Sequence, residues 1–203
     1  YTGAWDPEPA AFARFARHLR WETGVALDVQ PVDAGKLAPP GAPGTIAHLS
    51  GTAAWTPADA ELTALRDFVS AGGTLIVEAV GPANAPFADS LQATILPRAF
   101  PGAKFDALPP GHPALGGTLA GMENLWPTRL RPYAAVRLGP DAAKNPPPIR
   151  VATVGKGRVV YLPLDTTSGL LGTSTWSIFG YESTTAQAMM KNLVIWYLQP
   201  AEK

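Results

Sequence analysis

The sequence predicts a three-layer α/β domain with a mostly parallel sheet and an antiparallel hairpin late in the chain. Three observations carry that prediction. A short apolar run, Ile46 to Ser50, leads through the best-marked helical stretch of the chain into a β-branched run, Thr74 to Val80. Strand, helix, strand is a βαβ unit, with parallel pairing and a right-handed crossover. Two β-rich runs, Arg150 to Val154 and Arg158 to Leu164, flank Gly155-Lys156-Gly157, a hairpin signature. Helical periodicities around these runs supply the covering layers.

In chain order, Pro9 to Leu19 reads as a helix, because Phe12, Phe15, Ala16 and Leu19 recur at helical spacing against Arg14, Arg17 and Arg20, and Gly24 stops it. Val25 to Val32 alternates Val25, Leu27 and Val29 with Ala26, Asp28 and Gln30, the pattern of a half-buried strand. Lys36 to Gly44, with Pro39, Pro40, Gly41 and Pro43, is a loop. Ile46 to Ser50 is short, apolar except for His48, and reads as a buried central strand ending at Gly51. The next helix is capped by Thr56, takes Pro57 at its first position, and carries Asp59 and Glu61 where the macrodipole favours carboxylates. Leu62, Leu65, Phe68 and Val69 form its core face, and Gly72 with Gly73 closes it.

Phe87 to Leu96 repeats apolar residues at helical spacing. From Pro97 to Pro148, Pro and Gly recur every few residues; the strand reading there falls on Tyr133 to Leu138. The last helix runs from Thr184 to Leu198 with Ala186, Met189, Leu193, Val194 and Tyr197 facing in. The chain of 203 residues fits one domain, residues 1–203, with no internal repeat.

Composition excludes several functions. With 46% hydrophobic residues and a mean hydropathy of +0.04 the chain is too apolar for disorder. Lys plus Arg and Asp plus Glu each number 16, so no field attracts nucleic acid or anionic lipid. No apolar run reaches the roughly 18 residues of a membrane span, so this segment does not insert into a bilayer. Cysteine is absent, which removes disulfides, thiolate metal sites and thiol nucleophiles. A chain that begins at Tyr1 rather than Met reads as processed or excised from a larger protein, which leaves its compartment open.

The run Ala47-His48-Leu49-Ser50-Gly51-Thr52-Ala53-Ala54-Trp55, followed by Leu65-Arg66-Asp67-Phe68-Val69 and Gly72-Gly73-Thr74-Leu75-Ile76-Val77-Glu78, resembles a bacterial family, domain of unknown function four-one-five-nine. Further pieces agree in order. They are Tyr1 to Pro9, Phe87-Ala88-Asp89-Ser90, Leu108 to Pro113, Gly157-Arg158-Val159-Val160-Tyr161, and Gly180-Tyr181 ahead of Lys191-Asn192-Leu193-Val194, so the resemblance covers nearly the whole chain. It implies the class I glutamine amidotransferase-like superfamily and its flavodoxin-like three-layer arrangement. It also implies an origin as one part of a larger, exported protein, which favours a periplasmic or extracellular place over the cytoplasm. Catalytic relatives in that superfamily carry a Cys on a strand-to-helix elbow. Here the elbow region, Val77 to Gly81, holds Glu78, Ala79 and Val80, so amidotransferase chemistry does not carry over and the fold alone does not fix a function.

Ligands of open α/β sheets bind outside the carboxyl ends of the strands. That rule selects Ser50, Gly51 and Thr52 after one strand, Gly81 after the next, and Thr167, Ser168 and Gly169 after the last as ligand-binding candidates. The catalytic candidates are Glu78, Asp165, His48 and His112. Each has a bland alternative. Glu78 within a buried strand accepts N–H or Arg hydrogen bonds, Asp165 organises an Asx-type turn, His48 is a core histidine, and His112 before Pro113 is structural. His18 beside Arg17 and Arg20 is a surface residue. Trp55, Trp126 and Trp176 fall in loops, as packing anchors or as stacking surfaces.

No metal-ligand spacing, no G-x-S-x-G elbow and no phosphate-cradling loop is present, so no cofactor and no metal are expected. The first functional reading is a non-catalytic domain that binds a protein partner or small ligand at the strand ends. The alternative is a hydrolase using Glu78 or Asp165 as general base with His48 or His112, with or without help from a metal. A third makes the chain an interaction module without pocket chemistry.

Overall fold

Period and residue type place most elements where the pattern puts them. The computed structural model describes residues 1, 3–42, 44–142 and 144–198. α1 (Ala11–Thr23) buries Ala11, Phe15 and Leu19, and Gly24 caps it at φ 77° with its N–H on the Arg20 carbonyl. β1 (Ile46–Gly51), α2 (Asp59–Ser70) and β2 (Thr74–Ala79) form the βαβ unit, with β1 and β2 parallel. α2 is capped at Ala58, not at Thr56, because the Glu61 carboxylate reaches back to the Ala58 N–H at 2.8 Å. α3 (Pro86–Ser90), a π-helical stretch at Leu91–Ile95 and α4 (Leu96–Ala99) follow in unbroken succession.

The second half adds β3 (Asp106–Ala107), α5 (Pro113–Gly116), α6 (Pro132–Leu138), β4 (Arg150–Val154), β5 (Gly157–Leu162), α7 (Thr167–Leu171) and α8 (Ser183–Leu198). The strand order is β1-β2-β5-β4-β3. β1, β2 and β5 are parallel, and β4 and β3 are antiparallel to their neighbours. The sheet is thus parallel at one end only, against the mostly parallel sheet expected. The cause is local: the hairpin turn is just Gly155 and Lys156, with Val154 opposite Gly157, and so short a connection cannot join parallel strands. Gly155 takes φ 59°, the left-handed conformation that two-residue hairpin turns need.

Three expectations require correction. Val25 to Val32 is not a strand: Val25 and Leu27 do pack on the core, but the segment joins no ladder and Val29 and Val32 are 49% and 54% exposed. Alternation reports an extended chain lying on an apolar surface, and pairing is a separate condition. For the same reason β1 is an edge strand rather than a central one. Tyr133 to Leu138 lies in a helix, because Pro132 presets its first turn, Ala134 is buried with Leu138 half-buried one turn on, and Gly139 ends it with its N–H on the Ala135 carbonyl.

Two apolar clusters make the three layers. Ile76, Val160 and Leu162 face α1, α5, α6 and α8, whereas Leu75, Val77 and Val159 face α2, α3 and α4. α8 is apolar on nearly every side. Its buried Asn192 donates to the Ala114 and Glu123 carbonyls at 2.9 and 2.7 Å, and its Lys191 ammonium bonds Glu22 and Glu123. On the other face the helices cover β1, β2 and β5 but leave β4 to the segment around Phe100 to Phe105.

The start of β5 tests this close packing. A Cβ at Gly157 would lie 2.1 Å from the Val69 carbonyl oxygen and 2.3 Å from that of Gly73, both backbone atoms. Gly157→Ala is expected to cost about 3 kcal/mol in chemical denaturation. Gly41→Ala, where an added Cβ meets nothing within 4 Å, is expected to be neutral or slightly stabilising.

Candidate functional site

The register of β2 decides what happens at the strand ends. Val77 faces the α2 layer, so Glu78 points the opposite way, level with Ser50 on β1 and Leu162 on β5, into the layer of α1, α7 and α8. Its exposure is 0%. A carboxylate taken out of water needs compensating partners. His48 Nε2 lies 2.7 Å from Oε1, and the Thr167 hydroxyl donates to the same oxygen at 2.6 Å. The Thr166 N–H donates to Oε2 at 2.5 Å and the Thr167 N–H at 3.4 Å.

Asp165 follows β5 and is 1% exposed. Its Oδ1 accepts the Ser168 N–H at 2.8 Å, and its Oδ2 accepts the Ser168 hydroxyl at 2.7 Å and the Gly81 N–H at 2.9 Å. Asp165 therefore caps the turn that follows it, on the N–H three residues on rather than the two of an Asx turn, and its second oxygen ties the loop after β2. Burial, and then the neighbouring Glu78 charge, pushes the Asp165 carboxyl up to about 7, with its own hydrogen bonds pulling the other way. Its backbone is held as well, with N–H donated to the Phe179 carbonyl and the carbonyl accepting from Tyr181. Burial also raises Tyr181, with Glu78 as the second cause.

Sequence reasoning missed Arg131. It is buried, donates to the carbonyls of Ser168 at 2.8 Å and Tyr181 at 3.2 Å, and has no carboxylate partner among the described residues. Its position in the Pro-rich half gives no periodic signal.

The strand ends bring together Glu78, Asp165 and His48 but not His112. His112 caps α5, its Nδ1 accepting from the Ala114 N–H at 3.2 Å, and packs edge-on against Trp196 with ring centroids 4.6 Å apart. Burial and the Arg158 charge lower its pKa, and Arg158 stands level with Thr74, at the opposite end of β5 from Leu162. His112 is therefore no partner for Glu78. His48 is the most exposed member of the cluster, with its side chain at 14% and the Phe12 ring 4.7 Å away.

The ligand-binding candidates are engaged internally. The Ser50 hydroxyl donates to the Trp5 carbonyl at 3.2 Å, and Thr52 exchanges backbone hydrogen bonds with Ala4 and Phe87. Gly51 lies so close to the Tyr1 hydroxyl that a Cβ would stand 2.1 Å from it. Gly81 (φ 106°) gives its N–H to Asp165 and its carbonyl to the Phe179 N–H. Gly169 is where α7 meets Ala186 of α8. Tyr1, Trp55 and Phe87 stack over the end of β1, so Trp55 is a packing anchor, whereas Trp176 is 72% exposed. Burial raises the Tyr1 hydroxyl to about 12.

Chemically, the His48–Glu78 pair is a carboxylate-oriented imidazole. The Thr167 hydroxyl donates to the Glu78 carboxylate of the pair itself, and those of Ser50 and Ser168 donate to the Trp5 carbonyl and to Asp165. Among the described residues no group of three or more His, Asp or Glu is placed to hold a metal.

A cleft of about 600 Å³ opens instead over the antiparallel half of the sheet. Arg150 and Tyr161 form its floor, Gln92, Leu96 and Pro97 one wall, and Phe100 to Ala103 with Phe105 another, with Pro147, Pro148 and Pro163 at the end. The Gln92 amide donates to the Tyr161 hydroxyl at 3.0 Å. Counting outward from the Gly155-Lys156 turn pairs Arg150 with Tyr161, a signal that was open to the sequence. The placement of the helical segment Phe87 to Leu96 beside them was not.

Among the described residues no helix is long and apolar enough to cross a membrane. The family model described as Domain of unknown function (DUF4159) matches residues 1–162, which include His48, Glu78, Arg150 and Tyr161 but end before Asp165 and α8. No curated protein matches the chain.

Asp165 predicts a pH signature. Its folded pKa lies above its ordinary value of 3.8, so its contribution to stability is complete below that value and is lost as pH rises through about 7. Between pH 4 and 8 the wild-type chain is expected to lose stability relative to Asp165→Asn, measured as the difference between their urea midpoints. Parallel curves for the two proteins would exclude a protonated Asp165.

Proposed function

The chain belongs to the DUF4159 family, and we propose that it is a non-catalytic binding domain, built on an amidotransferase-like frame, that takes a small ligand or partner segment in the cleft over β4 and β5. The observation that carries this reading is the closure of the strand ends. Glu78 and Asp165 are 0% and 1% exposed, and their oxygens are occupied by His48, Thr166, Thr167, Ser168 and Gly81. Groups so engaged are not offered to a substrate, because catalysis requires hydrogen-bond reach to a reacting centre. The amidotransferase-like frame is supported by the β1–α2–β2 crossover with helices on both faces. The cleft has the size and mostly apolar lining of small-molecule sites.

One observation favours a hydrolase as the second reading: His48 is held by Glu78 at 2.7 Å and retains some solvent exposure. The two readings separate on activity. The purified chain is expected to release nothing above buffer from nitrophenyl esters, nitrophenyl phosphate or glutamine. Turnover that disappears in His48→Ala would overturn the non-catalytic reading and establish the hydrolase.

Glu78→Gln is expected to cost about 3 kcal/mol of stability, because the amide cannot accept from all of the donors around it. Circular dichroism during urea unfolding measures this. A loss below about 1 kcal/mol would show that the cluster does not hold the strand ends together.

A further inference from the structure

We propose that the cleft over β4 and β5 is a binding site for a small molecule bearing one carboxylate on an apolar, ring-sized body. The inference rests on the binding reading above and names the ligand class. Arg150 and Tyr161 sit directly opposite each other in the antiparallel ladder, so their side chains share one face of the sheet. Among the described residues Arg150 has no ion pair or side-chain hydrogen bond, and the Tyr161 hydroxyl accepts from Gln92 but donates to none. Burial raises the Tyr161 pKa, so its proton stays in place near neutral pH. Two cross-strand neighbours thus present free donors into the cleft.

No Asp or Glu lines the cleft to neutralise Arg150. Asp106, on the adjoining strand, is level with Val151 rather than Arg150, which turns it to the other face of the sheet. One planar guanidinium beside a neutral hydroxyl matches the charge and the bidentate geometry of a carboxylate; a phosphate dianion would call for more cations. Around these donors the surface is apolar, with Leu96, Phe100, Phe105, Pro147 and Pro163. A volume of about 600 Å³ takes a ring with a short chain and excludes a folded partner. Proline walls and a hairpin floor hold this shape before a ligand arrives, which reduces the ordering cost of binding.

The experiment is an amide NMR titration of the full chain with 4-phenylbutyrate, 4-phenylbutyramide and phenyl phosphate. The expected result is saturable shifts at Gly102 to Phe105, Arg150 and Tyr161 with the carboxylate. Binding should weaken at least about tenfold for the amide and in Arg150→Gln, the cost of a lost charge-assisted hydrogen bond. Tyr161→Phe should weaken it several-fold. Arg150 is exposed, so the dispersion of the variant spectrum confirms that it remains folded. Equal binding of acid and amide, unchanged affinity in Arg150→Gln, or tighter binding of phenyl phosphate overturns the carboxylate assignment and leaves the cleft as a binding site. Absence of cleft shifts with all three probes overturns the assignment and the binding reading together. Hydrolysis at His48 would remove only the non-catalytic reading.

Discussion

A carboxylate with no exposure to water is the constraint around which this fold is arranged. Glu78 sits in the middle strand of the parallel set and points into an apolar layer. An ion in that place destabilises the fold by several kcal/mol unless its oxygens are met by donors of good geometry. The donors come from separate parts of the chain: His48 on β1, and the backbone and hydroxyl groups of Thr166 and Thr167 at the start of α7. Satisfying Glu78 therefore fixes the position of β1 against β2 and the point at which the chain leaving β5 turns into a helix. A second buried acid, Asp165, performs the matching task for the loop after β2 through Gly81. It is accommodated by holding its proton more tightly, because two negative charges this close in a dry setting oppose each other. Arg131 adds to the hold on this turn through its hydrogen bonds to the Ser168 and Tyr181 carbonyls.

This arrangement has a consequence for where function can reside. The strand ends of an open α/β sheet are ordinarily its binding region, yet here they are filled by Tyr1, Trp5, Phe87 and the turn of α7. Open space lies instead over β4, because α2, α3 and α4 cover only the parallel half of that face. The antiparallel extension is thus more than a sheet edge. It presents Arg150 and Tyr161 on a rigid floor between apolar walls, away from the buried acids that hold the frame together.

Much of the frame was legible because it depends on short-range physics. Phe15 and Leu19, Leu62 and Leu65, and the Gly155-Lys156 turn each report their own backbone through spacing or φ requirement. The βαβ unit follows from them. Glu78, Asp165 and His48 were legible as unusual, since a charge or an imidazole inside an apolar run demands an explanation. Their mutual arrangement was not. His112 looked equivalent to His48 as a candidate, and only the chain's path through α5 carries it to the other end of β5.

The sequence by itself determined α1, α2 and α8, the parallel pair and the hairpin, and it excluded thiol chemistry. Those properties are set within a window of a few residues or by composition. The tertiary structure alone decided that Val25 to Val32 lies beside the sheet without joining it, that β1 is an edge, and that Tyr133 to Leu138 is helical. It also decided that the polar residues of the strand ends bond to one another, while the cleft forms between segments more than fifty residues apart in the chain, such as Gln92 and Tyr161. The physical reason is common to all of these. Pairing, burial and charge compensation depend on which surfaces meet, and that is a property of the assembled layers that no local pattern encodes.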